Sequence, residues 1–354
     1  MSTENGAVFM MSINLKDLTF DQIKEFLSSL DQPPYRASQL ARWLFQRCCQ
    51  SWEEMTDLPR DLRVKLQDMV QLKSLTLMQK QVSLQGDTVK YLYRLVDGQA
   101  IESVLMRYHY GCTACISTQV GCRMGCRFCA STAGGFIRNL SPGEMYDQVL
   151  AMQFDFGEKI NHVVLMGSGE PLDNLDNVLI FLDHIHAPYG LHIGYRHITI
   201  STCGIVPGIL ELSRRRLPVT LAVSLHAPND KLRSHLMPVN RRYPLGELIP
   251  ACREYVKRTG RRITFEYALL SGVNDSPHFA EELVRLVKDL LCHINLIPVN
   301  PVSGKKFSRP PATRVKYFKN ILERAGLAVT VRRELGSDID AACGQLRRRV
   351  LGLL

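Results

Sequence analysis

Three cysteines stand within a short run, CRMGCRFC: Cys122, Cys126 and Cys129, spaced C-x3-C-x2-C. Soft thiolates select iron, zinc or copper(I) over hard cations. Three thiolates this close suit a [4Fe-4S] cube with one iron left open, and Phe128 sets an aromatic ring just before the last ligand. A C-x2-C pair alone is shared with zinc and redox sites, and zinc or plain buried thiols are the alternatives for the triplet. Cys115 precedes it in CISTQVGC, and Cys343 lies in GSDIDAACGQL near the end of the chain. A thiolate is both nucleophile and leaving group in exchange. Two thiols facing one pocket would let one carry a covalent adduct and the other release it; the plain alternative is two buried thiols. Cys203 and Cys292 read as inert core or strand-edge thiols.

The elements that position these groups follow from periodicity. Residues 13–75 read as a small helical domain. Thr19 to Gln22 form a possible cap before Ile23, Phe26 and Leu27, Pro33 and Pro34 break that helix, and further helices follow over 37–49 and 57–72. Tyr35, Arg36, Arg42 and Arg47 are its candidate RNA contacts, with Trp43 in the core. Residues 76–108 switch to period two, Val89, Tyr91, Tyr93 and Leu95 alternating with Lys90, Leu92 and Arg94. Asp97-Gly98 marks a hairpin turn before a returning strand over 100–106.

From about residue 112, within a catalytic domain expected over 109–354, strand and helix alternate. Strands are expected over 162–165, 197–200, 219–224, 264–268, 294–298 and 328–332, with helices over 142–156, 178–185, 208–215, 248–258, 277–288 and 314–325. That pattern is an α/β barrel or part-barrel, whose ligands belong at the C-terminal strand ends. Gly169 and Glu170 in MGSGEPL, Ser201 in ISTCG, Ser224 and His226 in SLHAPND, and Asn300 in NLIPVNP all fall there. Each alone is an ordinary loop polar group; their repetition at strand ends marks a ligand site.

The 354 residues hold 44 Lys and Arg against 34 Asp and Glu, a formal charge of +10. That balance permits a phosphate-rich partner without identifying one. No stretch approaches the roughly 18 apolar residues of a membrane span, and the first residues lack a signal-peptide pattern. Eleven cysteines, an odd number, several in helix or strand patterns, fit a reduced compartment better than a secreted disulfide framework. The expected location is cytoplasmic.

The cysteine spacing resembles the radical-SAM signature, in which the open iron binds S-adenosylmethionine (SAM). The runs CISTQVGCRMGCRFCASTAGGFIRNL, MGSGEPLDN, SLHAPND, NLIPVNP and GSDIDAACGQL together resemble the RlmN family of dual-specificity RNA adenine C2-methyltransferases, relatives of the Cfr C8-methyltransferases, over nearly the whole chain. The resemblance implies a radical-SAM partial (β/α) barrel with a small N-terminal helical domain and a linking β-hairpin. It implies that Cys122, Cys126 and Cys129 ligate the cluster and that Gly169, Glu170, Ser201, Ser224, His226 and Asn300 bind SAM. One SAM would methylate Cys343; the other would yield a 5′-deoxyadenosyl radical that takes hydrogen from the S-methyl group. The carbon radical would add to adenine C2, and Cys115 would free the product as a Cys115–Cys343 disulfide. Glu102, in AIESVLM, matches the family's active-site carboxylate, a proton acceptor. The implied substrates are 23S rRNA and a subset of tRNAs, with an external electron donor such as flavodoxin and a monomeric state. Basic residues including Arg214 to Arg216, Arg241, Arg242, Arg261, Arg262, Lys305, Lys306 and Arg347 to Arg349 are candidate phosphate contacts.

Overall fold

A computed structural model describes residues 13–132, 134–300, 306–332, 338–339 and 345–350. Three helices come first: α1 (Phe20–Ser28), α2 (Tyr35–Phe45) and α3 (Arg60–Met69). Thr19 and Gln22 form a reciprocal capping box at the start of α1. Ile23, Leu27, Leu40, Leu44 and Phe45 are buried on the apolar stripes, and Trp43 is core as expected.

Strands β1 (Leu75–Val82), β2 (Thr88–Leu95) and β3 (Ala100–Tyr108) form an antiparallel meander, then β4 (Gly111–Cys115) pairs antiparallel with β3. The Asp97-Gly98 turn closes the β2–β3 hairpin, with Gly98 at φ 82°. Short strands β5 (Gln119–Gly121) and β6 (Phe136–Asn139) make a separate two-stranded sheet around the cysteine run.

The remaining chain alternates: α4 (Pro142–Phe156), β7 (Ile160–Leu165), α5 (Leu175–His186), β8 (Ile198–Thr202), α6 (Val206–Arg214), β9 (Thr220–Ser224), α7 (Asp230–Leu236), α8 (Leu245–Thr259), β10 (Ile263–Leu269), α9 (Pro277–Val287), β11 (Cys292–Pro298), α10 (Ala312–Arg324), β12 (Ala328–Val331) and α11 (Gln345–Val350). One ten-stranded sheet runs β1-β2-β3-β4-β7-β8-β9-β10-β11-β12, parallel from β4 onward. The hairpin read as a linker is thus continuous with the barrel: β4 joins the meander to the parallel strands.

Period-two burial decides which side chains face the site. Tyr91, Leu105, Ala114, Val163, Ile200, Val223, Phe265 and Ile294 join the main hydrophobic core. Their neighbours Lys90, Val104, Cys115, Val164, Ser201, Ser224, Glu266 and Asn295 take the opposite, inner face. Register agrees, because Cys115 lies opposite both Val104 and Val164, and Glu266 opposite both Ser224 and Asn295. Among the described residues, no helix is long and apolar enough to cross a membrane.

Candidate active site

A cavity of about 150 Å³ opens at the C-terminal ends of β7, β8 and β9, lined by Cys122, Cys126, Cys129, Gly169, Glu170, Ser201, Ser224 and His226, with Phe128, Cys203 and three methionines. Eight of the nine residues expected to hold cluster and SAM therefore meet on one wall. Asn300 is half-buried just past the end of β11 and is not among the lining residues. Cys115 and Glu102 are buried one and two strands away from β7. Cys343 and Lys305 lie outside the described residues.

The cysteine run is held by its backbone. Gly121 has φ 75°, and a Cβ there would sit 1.8 Å from the Gly135 carbonyl oxygen, so only glycine fits where the chain turns out of β5. Cys122 N–H then donates to Gly135 O, Arg127 N–H to Leu236 O, and the Thr132 hydroxyl to the carbonyls of Cys126 and Cys129. Burial pushes the Cys122 thiol up to about 12, and it raises Cys126 further. Buried Cys122 and half-buried Cys126 and Cys129 stand together, and thiols gain their charged form when a cation neutralises them. Their softness and common wall fit an iron–sulfur cluster ligated through separate irons. Among the described residues, no three such groups are arranged as a site for a single metal ion.

Gln119, fully buried, joins this run to the loop after β7. Its Oε1 accepts from Glu170 N–H at 2.9 Å, and its Nε2 donates to Asn139 Oδ1 and to Asp173 Oδ2. Gly169 (φ 113°) lets the loop pass so closely that a Cβ would meet Gln119 N at 2.7 Å. Glu170 is 3% exposed; Oε1 accepts from Leu172 N–H at 3.0 Å and Oε2 from Cys203 N–H at 2.7 Å. Burial raises its pKa, and the Cys203 N–H pulls against that rise. The Thr202 and Cys203 side chains also hydrogen-bond this carboxylate, so a ligand ammonium would share it with these donors.

His226 adopts φ 57°, in the left-handed region that few residues other than glycine enter, histidine being among those that do so more readily. Its Nδ1 accepts the Ala268 N–H at 2.9 Å, so the neutral ring carries its proton on Nε2 and offers a donor. Burial, and then the Arg233 charge, push its pKa down to about 3. The Phe128 ring stands edge-on to it at 4.9 Å, which gives the aromatic beside Cys129 a positioning role. Asn274 fixes the same corner by donating to His226 O and Ala268 O.

Arg233 is the chief residue that sequence reasoning missed. It is fully buried behind the cavity and donates to Cys203 O at 2.6 Å, Asn240 Oδ1 at 2.7 Å, Ser224 O at 3.1 Å and Leu225 O at 3.2 Å. One guanidinium thereby ties the ends of β8 and β9 together. Its only sequence signal was an arginine following the polar run SLHAPND. Cys203, read as an inert core or strand-edge thiol, lines the cavity, and burial holds its thiol well above the ordinary range. Cys292 is buried as expected.

The expected Cys115–Cys343 disulfide falls on Cys343, which lies outside the described residues, and no two described cysteines are bridged to each other. One expectation is corrected. Arg347 is not an exposed phosphate contact: it is buried on the inner side of β3, because α11 packs there.

A sulfur-rich cavity at the strand ends of a mostly parallel part-barrel, beside a buried carboxylate and a neutral histidine donor, defines a radical-SAM enzyme. The model of the Radical SAM superfamily matches residues 116–287. A second model, described as the ribosomal RNA large subunit methyltransferase N-terminal domain, matches residues 13–72. Probable dual-specificity RNA methyltransferases RlmN from Desulforamulus reducens and Pelotomaculum thermopropionicum are each 60% identical. They cover 95% and 98% of this chain, and 96% and 95% of their own lengths. The crystal structure of a radical SAM methyltransferase from Sphaerobacter thermophilus is 48% identical, with TM-score 0.91 over 94% of this chain and 98% of that one. The chain belongs to the RlmN family of dual-specificity RNA methyltransferases. It is an S-adenosylmethionine-dependent enzyme whose cofactors are a [4Fe-4S] cluster and SAM.

Proposed function

We propose that the enzyme methylates C2 of an adenine in 23S rRNA near the peptidyl transferase centre, and C2 of the adenine 3′ of the anticodon in a subset of tRNAs. Cys343 is the methyl carrier and Cys115 the thiol that releases the product. The observation that carries this reading is the meeting of Cys122, Cys126 and Cys129 with Glu170, Ser201, Ser224 and His226 around one cavity. When bound, the cluster supplies reductive cleavage of SAM and hence a radical, which suits an electron-poor ring carbon that attacks a methyl cation equivalent poorly. The rest is placement by the chain. Glu170 accepts the SAM ammonium, His226 Nε2 and the serine hydroxyls hold its polar groups, and Asn300, just past β11, adds a further polar contact. Cys115 is buried on the inner side of the sheet, and its role is to attack the adduct carried by Cys343.

Residues 13–75 are the accessory RNA-binding domain, 76–108 the connection and 109–354 the catalytic domain. The exposed Tyr35 with Arg36 over its ring, and Arg47 over Trp43, support an RNA-facing role for α2. An external one-electron donor such as flavodoxin, a monomeric state and a cytoplasmic location complete the reading.

The test is incubation of reconstituted protein with SAM, reductant and each RNA, followed by assay of 5′-deoxyadenosine and of the modified base. The expected product is 2-methyladenosine. An 8-methyl product favours the Cfr-like alternative, and RNA binding without SAM cleavage points to a non-catalytic iron–sulfur protein of ribosome assembly. Methylation retained by Cys343→Ala overturns the covalent carrier.

A further inference from the structure

Glu102 matches a family position read as a proton acceptor, yet its carboxylate is engaged with the protein. On the inner face of β3, Oε2 accepts from Lys90 Nζ at 2.8 Å, and both side chains are almost wholly out of solvent. Oε1 accepts the backbone N–H of Arg347, in the first turn of α11. The next residue back, Leu346, is fully buried against Leu92 and Ala100, the inner-face residues of β2 and β3 beside Glu102. The Arg347 side chain is itself buried there. Packing and a charge-assisted hydrogen bond therefore fasten α11 at one point of the sheet.

Ser117 ties that point to the SAM loop. Its hydroxyl donates to the Glu102 carbonyl at 2.6 Å and accepts the Ser168 N–H at 3.0 Å, one residue before Gly169. Cys343 precedes the first residue of α11 by two positions. Consecutive Cα atoms are about 3.8 Å apart, so covalent connectivity keeps its Cα within about 8 Å of that of Gln345.

We propose that Glu102 is a positioning residue: paired with Lys90, it clamps α11 to the inner face of β3 and thereby delivers Cys343 to the cavity. This rests on the reading of Cys343 as methyl carrier. It makes Glu102 necessary from the first methyl transfer onward, whereas a proton acceptor is needed only after carbon has joined the adenine. Two variants separate these roles in the reconstituted enzyme. Glu102→Ala removes the clamp, and Leu346→Ala loosens α11 without touching a charge.

Three readouts are taken: hydrogen–deuterium exchange of the peptide containing residues 345–350, mass of the Cys343 peptide after incubation with SAM, and RNA remaining covalently attached to protein. Loss of a hydrogen bond to a charged group is worth about tenfold or more. Both variants are therefore expected to raise exchange and to lower Cys343 methylation about tenfold, with no RNA adduct accumulating. Full Cys343 methylation, unchanged exchange and trapped RNA–protein adduct in Glu102→Ala overturn the proposal. So does normal exchange and methylation in Leu346→Ala, which keeps the test decisive if Glu102→Ala fails to fold. Absence of methyl on Cys343 in the parent enzyme strikes the carrier reading alone, while the exchange measurement still decides the clamp.

Discussion

Arg233→Lys is the most informative single change behind the cavity. The guanidinium makes four donations from three nitrogens, to the carbonyls of Cys203, Ser224 and Leu225 and to Asn240 Oδ1. A lysine keeps the charge but presents it from one atom. From the same backbone it reaches the paired carbonyls of Cys203 and Ser224 or the Asn240–Leu225 side, not both. Two hydrogen bonds from a charged donor are lost, each worth about 1.5–3 kcal/mol. The seam between the ends of β8 and β9 is thus weakened by about 3 kcal/mol or more. That seam carries Ser201, Ser224 and the Cys203 N–H that orients Glu170. If binding requires it closed, a competent fraction lowered to a few per cent raises the apparent Kd for SAM by one to two orders of magnitude, on the order of 10- to 100-fold. Arg233→Met, which removes the charge as well, is expected to lie lower still. Equilibrium SAM binding to cluster-loaded protein, with iron content as a control, measures this. Arg233→Lys binding SAM as tightly as the parent refutes the argument, because the fork geometry then contributes nothing.

Burial holds His226 near a pKa of about 3 and His184 near about 4, against 6.5 for the free ring. Both are depressed, so the unfolded chain binds more protons below pH 6.5, and their contribution is complete above that value and lost as pH falls toward 4. Each costs about 3 kcal/mol by pH 4, and melting of His226→Asn followed from pH 7 to 4 should show a shallower decline than the parent. Gly121→Ala, whose Cβ has 1.8 Å to the Gly135 carbonyl, is expected to abolish cluster loading, read as loss of bound iron and sulfide. Glu170→Gln can satisfy only one of the two N–H groups now donating to its carboxylate, costing about 1–3 kcal/mol at the unsatisfied donor; SAM cleavage measured as 5′-deoxyadenosine should fall at least tenfold, and a parent-like rate would show that Glu170 only shapes the loop.

Much of this architecture is legible because period and punctuation agree. The strand ends carrying Ser201, Ser224 and Glu170 follow from apolar runs bounded by Gly and Pro, and the barrel helices from their 3.6-residue stripes. β4 escaped notice because GCTAC is short and nearly all buried, so it lacks the alternation of a half-exposed strand. Helix α7, at seven residues, is too short to show a stripe, and with it went Arg233. Gln119 and Arg233 were invisible for one reason. Their worth lies in backbone groups distant in sequence, and a side chain that bonds to carbonyls of other loops leaves no pattern in its own neighbourhood. The cysteines were legible because their chemistry depends on local spacing.

The N-terminal helices are joined to the barrel by buried polar bonds. Lys16 Nζ reaches Asp147 on α4 at 2.6 Å, the same carboxylate takes the Ser74 hydroxyl, Tyr146 OH donates to Phe45 O, and His184 on α5 meets Leu18 O. Contacts of this kind leave no hinge. Helix α2 and the catalytic cavity thus stand at a set separation, like the two jaws of a calliper locked by its screw. On the proposed RNA-facing role of α2, an RNA held there has to unfold or bend until its adenine spans that gap, which makes the deformability of the nucleic acid part of what is recognised.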